Sequence, residues 1–109
     1  KVLVAEVDAV SSDALRQSGD WLREELVSGI VVLGAIIDGR PNLVAMVTSD
    51  LARKGFHAGT IVSDAAKIMG GGGGGRAQLA QAGGRKPEKL QETLSAIHKI
   101  VGGYGDLQG

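Results

Sequence analysis

Gly29-Ile30-Val31-Val32-Leu33-Gly34-Ala35-Ile36-Ile37 and Leu43-Val44-Ala45-Met46-Val47-Thr48 are two nearly unbroken aliphatic runs, separated by Asp38-Gly39-Arg40-Pro41-Asn42. That intervening segment has hairpin-turn chemistry, and the flanking runs are β-branched and apolar, as in buried strands. The segment therefore predicts a buried antiparallel pair in a two- or three-layer domain of sheet and helices. Upstream, Val2 to Val7 has strand composition, and Ser11-Ser12-Asp13 offers an N-cap for a helix reaching about Val27, with Leu15, Leu22 and Leu26 on its buried face. Downstream, Ser49-Asp50 can cap a short turn through Lys54, and Ala58-Gly59 opens a helix with Ile61, Ala65 and Ile68 on one side. Gly70 stops that helix. Gln78 to Ala82 is short and small-sided like an edge strand, and Pro87 opens a last helix along Leu90, Leu94, Ile97 and Val101, closed by Gly102-Gly103. The order predicts an α/β (α+β) domain, a mixed and largely antiparallel sheet with helices packed on it.

Composition supports one domain over residues 1–109. The chain has 43% hydrophobic residues but only one Trp, one Tyr and one Phe, so its core must come from Val, Leu, Ile and Ala, which suits a sheet under helices. Without cysteine there are no disulfides and no thiolate zinc sites. The longest apolar stretch, Ile30 to Ile37, is far below the roughly 20 residues of a membrane span, so the chain reads as soluble, with the cytoplasm as the expected location. A start at Lys1, without methionine, suggests a fragment of a longer chain.

Between the second and third helices lie six consecutive glycines, Gly70 to Gly75. Ordering each costs ~0.5 to 1 kcal/mol relative to alanine, and the return is backbone N–H groups that a bulky anion can approach. A G-x-G-x-x-G match inside polyglycine is trivial. Dinucleotide and P-loop sites need a strand before the glycines and a helix after them, whereas here a helix precedes, and no Gly-Lys-Ser or Gly-Lys-Thr follows. Net charge is zero but unevenly spread. Residues 1–52 hold 4 basic against 8 acidic groups and residues 53–109 hold 8 against 4, so the positive charge gathers around the glycines, as in an RNA footprint.

The segment Gly70 to Gly75 followed by Arg76-Ala77-Gln78-Leu79-Ala80-Gln81-Ala82-Gly83-Gly84 resembles the signature of the C-terminal, DHH-associated domain of alanyl-tRNA synthetases, usually G-G-K-G-G-G-R-P-x-x-A-Q-x-G-G. Gly72 stands where that family has lysine, removing a phosphate cation, and Ala77 stands where it has proline, loosening the loop exit. The resemblance implies a non-catalytic module that binds the outer, elbow side of tRNA and helps the aminoacylation and editing centres act on one tRNA-Ala. ATP, Mg and Zn are then implied only for other domains of the parent ligase, as is a preceding helical segment able to form a homodimer. Candidate tRNA contacts are Gly71, Gly73, Gly74, Gly75, Arg76, Gln81, Gly83, Gly84, Arg85, Lys86 and Lys89, on a glycine-rich loop between a helix and an edge strand.

Plainer readings stand beside these. Lys86 and Lys89 fit the solvated face of the last helix, and Gln78 and Gln81 fit decoration of an edge strand. Trp21 and Phe56 read as packing residues, with base stacking as the other use of an exposed aromatic. His57 and His98 lack partners at ligand spacing, so neither a metal nor a catalytic residue is expected. Two other functions remain open: the substrate-binding domain of a DHH-family phosphoesterase, disfavoured by Gln81 where those enzymes have a G-G-H pattern, and a dimerisation module using the hairpin's exposed edge.

Overall fold

The computed structural model describes residues 2–108, with side chains through residue 102. Five strands and four α-helices follow the order β1 (Val2–Glu6), α1 (Ser12–Glu25), β2 (Ile30–Ile37), β3 (Arg40–Val47), α2 (Ser49–Arg53), α3 (Ala58–Ala66), β4 (Gly72–Gly75), β5 (Leu79–Gly83) and, after a 3-10 turn at Pro87–Lys89, α4 (Leu90–Gln108). The sheet runs β1-β2-β3-β5-β4, parallel between β1 and β2 and antiparallel elsewhere. The expected mixed, largely antiparallel α/β architecture is the one observed.

The hairpin is its centre. Asp38 and Gly39 both take positive φ (52° and 77°), the two-residue type I′ turn that matches strand twist, so Arg40, Pro41 and Asn42 belong to β3 and not to the turn. The two faces of β2 and β3 fill two cores, which is why their sequences do not alternate. Leu15 of α1 packs with Val31, Leu33, Ala35, Val44 and Met46 on one face, with Leu22 and Leu26 at the margin. Ile30, Val32, Leu43, Ala45 and Val47 face α3 and α4 on the other, with Ile61, Ala65, Met69, Leu90, Leu94, Ile97 and Val101.

Local signals account for the helix starts. The Ser11 hydroxyl accepts from the Ala14 N–H at 3.1 Å and caps α1, which ends at Glu25, short of Val27. Thr48, not Ser49, is the N-cap of α2, and Asp50 takes a different role. Its carboxylate accepts hydroxyls from Ser28 at 2.5 Å and Thr48 at 2.6 Å, while Thr48 Oγ1 accepts the Gly29 N–H at 3.0 Å, so the start of β2 is tied to α2. These bonds, Ser28 first, lower the Asp50 pKa to about 2. A carboxyl depressed in the folded state stabilises above its unfolded value, and that contribution fades as pH falls from about 4 toward 2. Urea denaturation at pH 5 and pH 3 should show a smaller loss of stability on acidification for Asp50→Asn than for the wild type.

Four further expectations are corrected. Gln78 to Ala82 is not an edge strand: β5, at Leu79–Gly83, lies between β3 and β4, and the glycine run itself forms the edge. The hairpin is not a free edge over most of its length, since β2 pairs with β1 from Ile30 to Gly34 and β3 with β5 from Asn42 to Met46. Trp21 is 62% exposed on α1, not a packing residue, whereas Phe56 is half-buried against the α3–α4 core. α4 continues through Gly102-Gly103, because glycine there lowers helix propensity by ~1 kcal/mol without requiring a left-handed turn.

Candidate nucleic-acid interface

α3 brings the chain to the glycines through a Schellman stop. Gly70, at φ 72°, donates to the Lys67 carbonyl at 3.2 Å, and Gly71 donates to the Ala66 carbonyl at 3.0 Å. The chain then runs as β4 with Gly72 opposite Gly83, Gly73 opposite Ala82, Gly74 opposite Gln81 and Gly75 opposite Ala80. What reads as a phosphate loop is thus a four-residue strand, open along its outer side, with all four glycines exposed.

The glycines fall into two sets. A Cβ on Gly71 would lie 1.9 Å from the Gly83 carbonyl oxygen, and one on Gly73 would lie 2.4 Å from Ala82 Cβ and the Gln81 carbonyl oxygen. These positions need glycine for close approach of the backbones. A Cβ on Gly72 or Gly74 would meet nothing within 4 Å. By register, Gly72, Gly83 and Asn42 form one row and Gly74, Gln81 and Val44 the next, on the face where α1 packs. α1 covers Val44 and Met46, and its start reaches only Gln81, whose Nε2 donates to the Ser12 carbonyl at 3.4 Å. Beyond that contact the β4 face is bare backbone.

At one end this face opens into a groove of about 850 Å³, walled by Ile37, Asp38 and Arg40 to Asn42 on one side and by Gly70 to Gly72 and Gly83 to Arg85 on the other. Arg85 and Lys86 both donate their N–H groups to the Met69 carbonyl at 3.0 Å, which fixes this corner to the end of α3. The Lys86 stem lies over Gly70, with Cε 3.4 Å from a Cβ built there. Arg76 stands at the opposite end of β4, about 13 Å along the strand at ~3.3 Å per residue. Its N–H donates to the Leu79 carbonyl at 2.9 Å. The carbonyls of Arg76 and Ala77 accept from Gly59 at 3.2 Å and Ala58 at 2.9 Å, so the start of α3 holds the exit although Ala77 replaces proline.

The structure thus gathers Gly71, Gly83, Gly84 and Arg85 at the groove with Lys86 beside them, strings Gly73, Gly74 and Gly75 along the edge and ends on exposed Arg76. Gln81 belongs to the same bare face. Lys89 does not join them: it sits in the 3-10 turn, ion-paired with Glu92 at 3.5 Å. Arg40 and Asn42 line the groove and are absent from the sequence-derived candidates, because Arg40 lies in the acidic half of the chain and only the β3–β5 register brings it here. His57 caps α3, its Nδ1 accepting from the Thr60 N–H at 3.2 Å. Among the described residues no group of three His, Cys, Asp or Glu could hold a metal, and no helix is long and apolar enough to cross a membrane.

Because position 72, the first of β4, opens to solvent on the groove face, Gly72→Lys should leave the thermal midpoint unchanged or slightly raised, as replacing a strand glycine returns up to ~0.5 to 1 kcal/mol. Thermal denaturation of the two proteins checks this.

Known proteins share both the sequence and this geometry. The chain is 46% identical over 101 residues to alanine–tRNA ligase of Dehalococcoides mccartyi, 93% of this chain and 12% of that one. It is 47% identical over 102 residues to that of Chloroflexus aurantiacus, 94% of this chain and 11% of the ligase. The chain therefore spans about an eighth of the length of these relatives. Its fold matches the C-Ala domain of Aquifex aeolicus alanyl-tRNA synthetase with a TM-score of 0.82 and 28% identity, over 99% of this chain and 91% of that domain. The DHHA1 domain model matches residues 1–103, and the chain belongs to the DHHA1 domain family.

Proposed function

We propose that this chain is the tRNA-binding, C-terminal domain of a longer alanyl-tRNA synthetase, and that its glycine strand is laid against the outer, elbow side of tRNA. The observation that carries the reading is the bare β4 face, a strip of backbone without side chains, bounded by Arg85 and Lys86 at one end and Arg76 at the other. Such a surface admits a sugar-phosphate backbone to close range and holds it by charge and N–H groups, contacts that position RNA without reading sequence. The similarity to alanine–tRNA ligases and to a C-Ala domain supplies the synthetase. Alanine activation with ATP, metal chemistry and editing belong on this reading to other domains, which this one helps act on a single tRNA in the cytoplasm.

Titration of the chain with tRNA-Ala and with a generic single-stranded oligonucleotide at two salt concentrations tests the proposal. With three to five phosphate contacts, log affinity for tRNA should fall with log salt at a slope of about −2 to −4. Gly72→Lys should bind tRNA more tightly and raise the slope by almost one. Absence of tRNA binding at low salt would refute the reading.

A further inference from the structure

Two arginines line the groove, and neither is held in an ion pair. The β3–β5 register ends with Asn42 opposite Gly83, and the Gly84 N–H donates to the Pro41 carbonyl at 3.0 Å, so Arg40 and Arg85 follow at the same end of the two strands, where the Arg85 N–H turns to the Met69 carbonyl. Both line the groove. Two like charges lining one groove repel unless an anion lies between them. Asp38 lines the same groove, yet the ion pairs among the described residues are Arg23–Asp20, Lys67–Asp64 and Lys89–Glu92, none of which includes Arg40, Arg85 or Asp38. Arg40 is exposed at the first position of β3, where its backbone is fixed by the type I′ turn before it and by pairing with Ile37.

We propose that Arg40 and Arg85 form a clamp for one phosphodiester of the RNA backbone, with the glycine corner Gly70–Gly72 and Gly83–Gly84 as its floor. Guanidinium groups suit this task, because each presents a planar fork of donors to phosphate oxygens. A phosphodiester between them neutralises the positive charge that both bring to the groove, while the glycine corner lets the sugar-phosphate chain lie on the backbone. The clamp rests on the tRNA-binding reading and adds to it a contact from the hairpin, an element that carries no glycine signature.

The test compares the wild-type chain with Arg40→Gln, Arg40→Lys and Arg40→Glu, each first shown by circular dichroism to melt like the wild type. Each is titrated with a tRNA-Ala transcript across a salt series, and with inorganic phosphate at constant ionic strength. Arg40→Gln should weaken tRNA binding roughly 3- to 10-fold at low salt and flatten the log–log slope by ~0.7 to 0.9, one phosphate contact. Arg40→Lys should keep the slope and recover part of the affinity, and Arg40→Glu should lose more than Arg40→Gln. If the wild type binds tRNA and Arg40→Gln binds with the same affinity and slope, the clamp is overturned while the tRNA reading stands. If Arg40→Gln changes only the response to inorganic phosphate, the groove is a free-phosphate site and the assignment to RNA is overturned. If the wild type does not bind tRNA at all, both fall together.

Discussion

Gly73→Ala should destabilise the fold by about 3 kcal/mol, while Gly72→Ala, one residue away in the same glycine run, should be neutral or stabilising. The added methyl at 73 would sit 2.4 Å from Ala82 Cβ and the Gln81 carbonyl oxygen, and neither can yield. Ala82 is buried in the α3–α4 core and Gln81 belongs to an interior strand. The remaining response is for β4 to peel away from β5, which limits the cost to what this edge strand contributes. At 72 the methyl meets only solvent. Urea denaturation of both variants checks the contrast, and equal stabilities would mean that β4 is not packed against β5 as described. Peeling of β4 would also remove the bare face, so Gly73→Ala should lose tRNA binding well below its unfolding midpoint.

The second large effect concerns affinity. Arg76→Ala with Arg85→Ala removes the cations at both ends of β4 and should weaken tRNA binding roughly 10- to 100-fold at low salt, from ~0.7 to 1.4 kcal/mol per contact. The salt slope should flatten by about 1.5, because two phosphates are no longer neutralised. Stability should hardly change, since both side chains are exposed and neither is ion-paired. A filter-binding or anisotropy titration in a salt series separates the outcomes. Weakened binding with an unchanged slope would mean that these arginines act through local structure and not through phosphate.

Much of the fold is legible in local chemistry. Asp38 to Asn42 signals a hairpin turn, Ser11 a helix start and Gly70 a helix stop; each depends on a few adjacent residues, and each is found, the turn narrowed to Asp38-Gly39. Strand order does not have that property. Glycine has low strand propensity and no side chain to show a period, so the run from Gly72 to Gly75 reads as a loop until its pairing with Gly83 to Ala80 is seen. Gln78 to Ala82, short and small-sided, reads as an edge for the same reason; the observed strand, Leu79–Gly83, is small-sided because a glycine strand and α3 press close on it.

The site divides along the same line. Arg76, Gly83, Gly84 and Arg85 are legible because they stand next to the glycines in sequence. Arg40 is not, because charge counted along the chain assigns it to the acidic half, and only hairpin pairing carries it to the groove. Lys89 shows the converse: near the glycines in sequence, it is turned to Glu92 by the 3-10 entry to α4.

The most direct test of the glycine strand as the RNA surface is mapping of backbone amide chemical shifts on the 15N-labelled chain during titration with tRNA-Ala. The account predicts the largest changes at Gly71 to Arg76 and Gly83 to Lys86, with Arg40 and Asn42 among them. Changes confined to the outer face of α1 around Trp21, or to α4, with the glycine amides unmoved, would contradict it.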